Sequence, residues 1–159
     1  MDPSVDLAMP QSLSAVFIHL VFSTKERYPF LTDQSLREGA HAYIGEISKR
    51  LGCSPLCIGG VADHVHILAR LGREVRQSDW VKELKRVSNP WINEHLSVNG
   101  KFAWQSGYGA FSVSQSKVEE VREYIRRQEE HHQRMSFQEE YREFMNRHGI
   151  EWDERYVWD

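Results

Sequence analysis

His64 and His66 flank Val65 within residues 58–71 (IGGVADHVHILARL), a stretch that Gly59 and Gly60 open. Val61, Val65, Ile67 and Leu68 give it the β-branched and aliphatic content of a strand. Side chains alternate along a strand, so the two imidazoles share one face, with their Cα atoms about 6.6 Å apart. At that spacing they either converge on one metal ion, about 2.1 Å from each nitrogen, or stand as solvent-facing residues of a half-exposed strand. Asp63, next to the pair, is either a turn residue or a carboxylate that orients one imidazole.

A second pair lies in residues 117–134 (KVEEVREYIRRQEEHHQR), which read as one strong helix with Val118, Val121 and Ile125 as its buried stripe. At about 100° per residue, Tyr124 and Gln128 fall next to each other along one edge of that stripe. Taken alone, such a tyrosine is a packed ring with a wet hydroxyl, and such a glutamine is plain surface.

These residues need elements to hold them. Residues 14–23 (SAVFIHLVFS) read as a strand central in its sheet, after a polar arm over 1–12 that contains Pro3 and Pro10. A loop broken at Pro29 follows. Asp33 then caps a helix over 34–51, with Leu36, Ala40, Tyr43, Ile44 and Ile47 at helical spacing and Gly52 at its end. A strand over 53–59, a turn at Ala62 and Asp63, and the strand of His64 and His66 form a hairpin. Ser78 or Asp79 caps the next helix, over 80–96, whose apolar side carries Trp80, Leu84, Val87, Trp91 and Ile92; Pro90 predicts a kink or a break. Lys82, Lys85 and Arg86 lie on another side of it, either as a solvated basic face or as contacts for a phosphate backbone.

Residues 102–114 read as a glycine-punctuated strand region with a bulge at Gly107 or Gly109. After the 117–134 helix, Ser136 starts another, to about Arg147, with Phe137, Tyr141 and Phe144 at helical spacing, and 150–159 is an aromatic tail. The order β-α-β-β-α-β-α predicts an α+β fold: a mainly antiparallel sheet, ferredoxin-like or RRM-like, with flanking helices. The organisation expected is a flexible arm over 1–12, one domain over 13–135, and a helix and tail over 136–159 packed on that domain.

Composition bounds what such a site can serve. At 159 residues, 40% hydrophobic and 27% charged, the chain has the balance of one globular domain with a real core. The apolar run over 15–22 is too short to span a membrane, and Asp2 and Asp6 occupy the place where a signal peptide is basic, so a cytoplasmic protein is expected. Cys53 and Cys57, the only cysteines, form neither a zinc signature nor a disulfide framework and read as packed, reduced thiols. The net charge of −3 argues weakly against nucleic-acid binding, but it is uneven: residues 136–159 carry −4 and the rest +1. A near-neutral body can still present a local basic face.

A strand with His-hydrophobe-His followed by a helix with Y-x-x-x-Q resembles the combined signature of the single-tyrosine HUH transposases. The chain is similar to their insertion-sequence-200-like family, with the REP-associated tyrosine transposases as near relatives. The resemblance runs in order through HLVFSTKERYPFL (19–31), GGVADHVHIL (59–68), VKELKRVSNPWI (81–92), WQSGYGAFSVS (104–114) and VREYIRRQEEHH (121–132). The tail FQEEYREFMNRHGIEWDERYVW resembles an extension found in part of the family.

The resemblance implies cleavage and rejoining of single-stranded DNA through a covalent 5′-phosphotyrosine, with DNA hairpins as the recognised feature. It makes Tyr124 the nucleophile and His64, His66 and Gln128 the ligands of one divalent metal, Mg2+ or Mn2+. The residue types suit that chemistry: a phenol with a pKa of about 10 needs a cation or a base nearby before it attacks. His131 falls on the same helix side and reads as a surface or DNA-facing residue. Lys82, Lys85 and Arg86, with Arg122, Arg126 and Arg127, are the candidate phosphate contacts. The family also implies a homodimer in which the tyrosine helix can serve the partner's histidines, with a joint over 112–116.

Two other readings stand beside this one. A domesticated relative would grip hairpin DNA or RNA without transposing; the intact set of four site residues argues against that loss, and the modest charge and acidic tail are the feature most at odds with tight DNA binding. A metallohydrolase built on the histidine pair is the third, and the chain is too short for the (β/α)8 barrels that usually carry such sites.

Overall fold

The computed structural model describes residues 12–97 and 101–159. Strands β1 (Phe17–Ser23), β2 (Ser54–Val61), β3 (His64–Arg70) and β4 (Gly109–Val113) form one antiparallel sheet in the order β2-β3-β1-β4. Helix α1 (Gln34–Arg50) connects β1 to β2, and α2 (Gln77–His95) connects β3 to β4. This is the β-α-β-β-α-β arrangement of ferredoxin-like sheets, as the order of sequence patterns predicts. Of the arm expected over 1–12, all but Ser12 lies outside the described residues. No helix among the described residues is long and apolar enough to cross a membrane.

The two faces of the sheet are built differently, and strand alternation decides which residue goes where. Ile18, Leu20 and Phe22 of β1 and Val65, Ile67 and Ala69 of β3 point to one face. There they form the main core with Ala40, Ile44 and Ile47 of α1 and Trp80, Leu84 and Ile92 of α2. The intervening residues point to the other face, where Val21 pairs with His66 and His19 with Leu68. That face is covered by α3 (Val118–Arg126), α4 (Gln128–His131) and α5 (Phe137–Arg147), through clusters around Val21, Phe111 and Phe137 and around Phe17, Leu68 and Ile125. All seven residues of β1 are buried, because helices cover both of its faces and strands flank both of its edges. His19 is therefore buried in an otherwise apolar strand.

Several local expectations are corrected. Helix α2 begins at Gln77, with Arg76 at its N-cap and no side-chain cap bond, so Ser78 and Asp79 lie in its first turn, where Asp79 faces the positive end of the helix dipole. The helix runs through Pro90 without breaking. Ile92 in the core, and Trp91 stacked on both Tyr43 and His95, hold the turn beyond the proline. The bulge is not at Gly107 or Gly109 but in β2, where the pairing shifts between Pro55 and Cys57; a proline cannot donate to the ladder. Gly109 pairs normally with Val21, and its missing side chain leaves room for the Tyr141 ring. The expected 117–134 helix is interrupted: Arg127, at φ −96° and ψ 20°, separates α3 from α4.

The C-terminal segment is tied to the body. Ser136 caps α5 with a full capping box shared with Glu139. Beyond it, Trp152, Val157 and Trp158 pack on the Phe137 cluster, and the Asp159 carbonyl accepts from the Gly107 amide at 2.8 Å.

Candidate metal centre and tyrosine

The hairpin turn at Ala62 and Asp63 starts β3 at His64 and sets both imidazoles on the face under α3 to α5. Both are fully buried. His64 Nδ1 donates to Asp63 Oδ1 at 2.7 Å, and that acceptor-only partner directs Nε2 into the site. His66 is held in the same way by the adjacent strand: its Nδ1 lies 2.8 Å from His19 Nε2. In each case a second group fixes the ring and leaves Nε2 facing inward, which is how metal-binding imidazoles are oriented. Together with the Gln128 Oε1 atom, 3.1 Å from His64 Nε2, these donors fit a divalent cation.

One carboxylate organises the centre. Glu140, from α5, is 1% exposed. Its Oε1 lies 2.9 Å from His66 Nε2, 3.2 Å from His64 Nε2 and 3.1 Å from His132 Nε2. Its Oε2 accepts from Gln128 Nε2 at 3.1 Å and from the Tyr124 hydroxyl in a very short bond. Burial alone would raise the Glu140 pKa, but His66, His132 and His64 outweigh it and hold the carboxyl far below its usual range. Burial also works against a charged His64, yet the bonds to Asp63 and Glu140 prevail and push its pKa up to about 9. Burial keeps His66 and His19 below their usual values. Burial and the Glu140 charge raise Tyr124, so its hydroxyl keeps its proton.

The structure brings Tyr124, Gln128, His64 and His66 together. Tyr124 and Gln128 meet at Glu140 although Arg127 separates their helices. The approach of α3 is set by Gly59 on β2, where a Cβ would lie 2.7 Å from the Ile125 carbonyl. His131 stacks on Tyr124, with ring centroids 4.6 Å apart. The tyrosine ring also borders a groove of about 720 Å3 lined by His19, Lys117, Arg147 and His148.

The basic candidates divide by face. Lys82, Lys85 and Arg86 belong to α2, on the face of the sheet opposite the histidines. Lys85 donates to the carbonyls of Gln105 and Gly107, at 2.8 and 2.6 Å, and burial lowers its pKa to about 8; it clamps a loop. Arg86 is forked onto Glu83, and Lys82 is exposed. On α3, Arg122 donates to the Leu56 carbonyl, while Arg126 and, just past the helix, Arg127 are more than half exposed and, among the described residues, pair with Glu123.

Sequence reasoning missed His19, His132 and Glu140. His19 gave a signal, as the one polar residue inside an apolar strand. Glu140 gave a better one: it falls three residues after Phe137 and four before Phe144, on the stripe that α5 buries. An acid on a buried stripe needs partners.

Among curated proteins, none matches the chain. A Deinococcus radiodurans R1 protein described as a transposase, solved as a crystal structure, superposes with a TM-score of 0.59 at 24% identity, over 76% of this chain and 95% of its own. A REP-associated tyrosine transposase bound to a REP hairpin superposes with a TM-score of 0.55 at 11% identity, over 78% of this chain and 72% of its own. At those identities the likeness is one of fold. Residues 12–128 match the family described as transposase, IS200-like. That span starts before β1 and ends on Gln128, so it takes in both halves of the centre, and the chain belongs to the IS200-like transposase family.

Proposed function

We propose that this transposase cuts and rejoins single-stranded DNA, with Tyr124 as the nucleophile and His64, His66 and Gln128 holding a divalent metal, Mg2+ or Mn2+, at the scissile phosphate. One observation carries the reading: the Tyr124 hydroxyl and the Gln128 amide bond the same carboxylate that faces both imidazoles. A bound divalent ion supplies charge that polarises the phosphoryl oxygens and steadies the departing 3′ oxygen.

The chain's own residues do the rest. His19 and Asp63 fix the imidazole rings. Tyr124 Oη forms a bond to phosphorus as the bond from phosphorus to the 3′ oxygen breaks. The phenol proton leaves by way of Glu140 Oε2, its present acceptor, and is handed on to the departing 3′ oxygen, which is freed as a 3′-OH. The phosphotyrosine keeps the energy of the broken phosphodiester, so a 3′-OH can reverse the step without ATP.

The groove beside Tyr124, with Lys117 and Arg147 on its wall, suits a strand of phosphates. Arg126 and Arg127 are free to swing from Glu123 to DNA, whereas Lys82 and Arg86 would meet only DNA that reaches the opposite face. The solved relative carries a DNA hairpin, which supports a structured strand as substrate here. Tyr124 lies over its own chain's His66, with ring centroids 5.9 Å apart, so the reading places catalysis within one chain, in a monomer or a homodimer.

A covalent-adduct gel tests this. Labelled hairpin-bearing single strands from DNA flanking the gene are mixed with the protein and Mn2+ or Mg2+, then boiled in detergent. Label migrating with the wild-type protein and absent from Tyr124→Phe supports the reading. Equal labelling of both removes Tyr124 from the role, and binding without any adduct favours the hairpin-binding module.

A further inference from the structure

His132 and Glu140 lie beyond residue 128, where the match to the family ends, yet they complete the centre that the family residues begin. His132 Nδ1 lies 2.7 Å from the Met135 carbonyl, which can only accept, so Nδ1 carries the proton. Its Nε2 faces Glu140 Oε1, 3.1 Å away, and in the neutral imidazole turns a lone pair to it; among the described residues that nitrogen is buried without a hydrogen-bond partner. A lone pair facing a carboxylate oxygen is repulsive unless a proton or a cation lies between them. Three imidazole Nε2 atoms surround that one oxygen, and His64 and His66 each have Nδ1 occupied by a separate partner.

The spacing suits a cation. Neighbouring donors bound at about 2.1 Å lie about 3.0 Å apart in an octahedral set and about 3.4 Å apart in a tetrahedral one. The distances from Glu140 Oε1 to the three Nε2 atoms, 2.9, 3.2 and 3.1 Å, are those of octahedral neighbours. All four ligand atoms lie within 4.8 Å of one another.

We infer that the chain beyond residue 128 completes the metal site: His132, at the end of α4, and Glu140, on α5, are ligands beside His64 and His66, and the second oxygen of Glu140 ties Tyr124 to that site. The inference rests on the proposed metal at the histidine pair and deepens it. Three imidazoles, a carboxylate and the Gln128 amide would hold the ion, which would supply charge to a phosphoryl oxygen brought beside it. The set also selects a borderline ion such as Mn2+ over Mg2+, since imidazole is a poor ligand for the harder ion.

Mn2+ binding to the full chain without DNA, read by electron paramagnetic resonance, tests it. His64→Ala, His132→Ala, Glu140→Gln and Glu140→Asp are compared with wild type, each checked for folding by circular dichroism. The expected result is loss of binding in His64→Ala and weakening by about 10- to 100-fold or more in His132→Ala and Glu140→Gln, with partial recovery in Glu140→Asp. Unchanged binding in His64→Ala removes the metal from the pair altogether. Lost binding there, with unchanged or tighter binding in the His132 and Glu140 variants, keeps the metal at the pair and overturns the ligands from α4 and α5. Electron spin-echo modulation of Mn2+ in wild-type protein needs no variant: three coupled imidazole nitrogens support the inference, and two overturn it.

Discussion

At the scale of residues, histidines here do three different jobs, and surroundings rather than sequence separate them. His64 and His66 present Nε2 to the centre because Asp63 and His19 occupy their other nitrogens. His19 is a buried neutral support. His41, on α1, has an Nε2 that is buried without a partner among the described residues, and burial together with the nearby Arg37 charge lowers its pKa to about 4. Arg126 and Glu129 border the same small cavity from across the sheet edge. Below pH 6.5 the unfolded chain takes up a proton that folded His41 refuses until about pH 4, so stability falls as pH falls through that window. The loss amounts to up to about 3 kcal/mol. Urea denaturation at pH 7 and pH 4.5 reads it: His41→Gln should lose less stability between the two than wild type, and an equal loss contradicts the assignment. The histidine pair was legible because two residues at strand spacing announce a shared face. His41, on α1, and His132, at the end of α4, were not, since neither position says what lies opposite it.

At the scale of elements, the centre is a strand hairpin below and three short helices above, and the tolerance between them is small. The sequence predicts the hairpin, the cap at Asp33 and the start of α5 at Ser136, because turn and cap residues act locally. It does not predict the break at Arg127, which ends α3 where that helix docks on β2. That docking depends on Gly59: a methyl group there would meet both the Ile125 carbonyl, at 2.7 Å, and its Cγ2, at 2.8 Å. Gly59→Ala must push α3 away from the sheet and carry Tyr124 and Gln128 with it. A stability loss of about 1–3 kcal/mol is expected. Cleavage should fall by about 100-fold, because a misplacement of about 1 Å is enough to do so. Thermal denaturation and strand cleavage measured side by side check this; a destabilised variant that cleaves normally would show that α3 does not hold the tyrosine in register.

At the scale of the whole molecule, the acidic C-terminal segment looked like an obstacle to DNA binding in the sequence, and folding changes its meaning. Glu140 is spent on three histidines, Glu154 is forked by Arg142, and Asp153 is held by Arg155. Arg142 and Arg155 belong to the segment and are already counted in its charge of −4, so what folding adds is the burial of Glu140 among histidines from outside it. The joint expected over 112–116 is occupied by the end of β4 and a short 3-10 turn over Gln115–Lys117, which lead directly into α3. If catalysis stays within one chain, as proposed, mixing Tyr124→Phe with His64→Ala should restore no cleavage; recovery on mixing would mean that the tyrosine works on a partner's histidines.

The central claim is that Tyr124 itself takes the DNA. It is tested most directly by isolating the covalent complex, digesting the DNA to a nucleotide remnant and mapping tryptic peptides by mass spectrometry. Trypsin frees residues 123–126 (EYIR) as one short peptide. The account predicts that this peptide carries the 5′-nucleotide remnant on Tyr124. A remnant on any other residue, with this peptide unmodified, would contradict it.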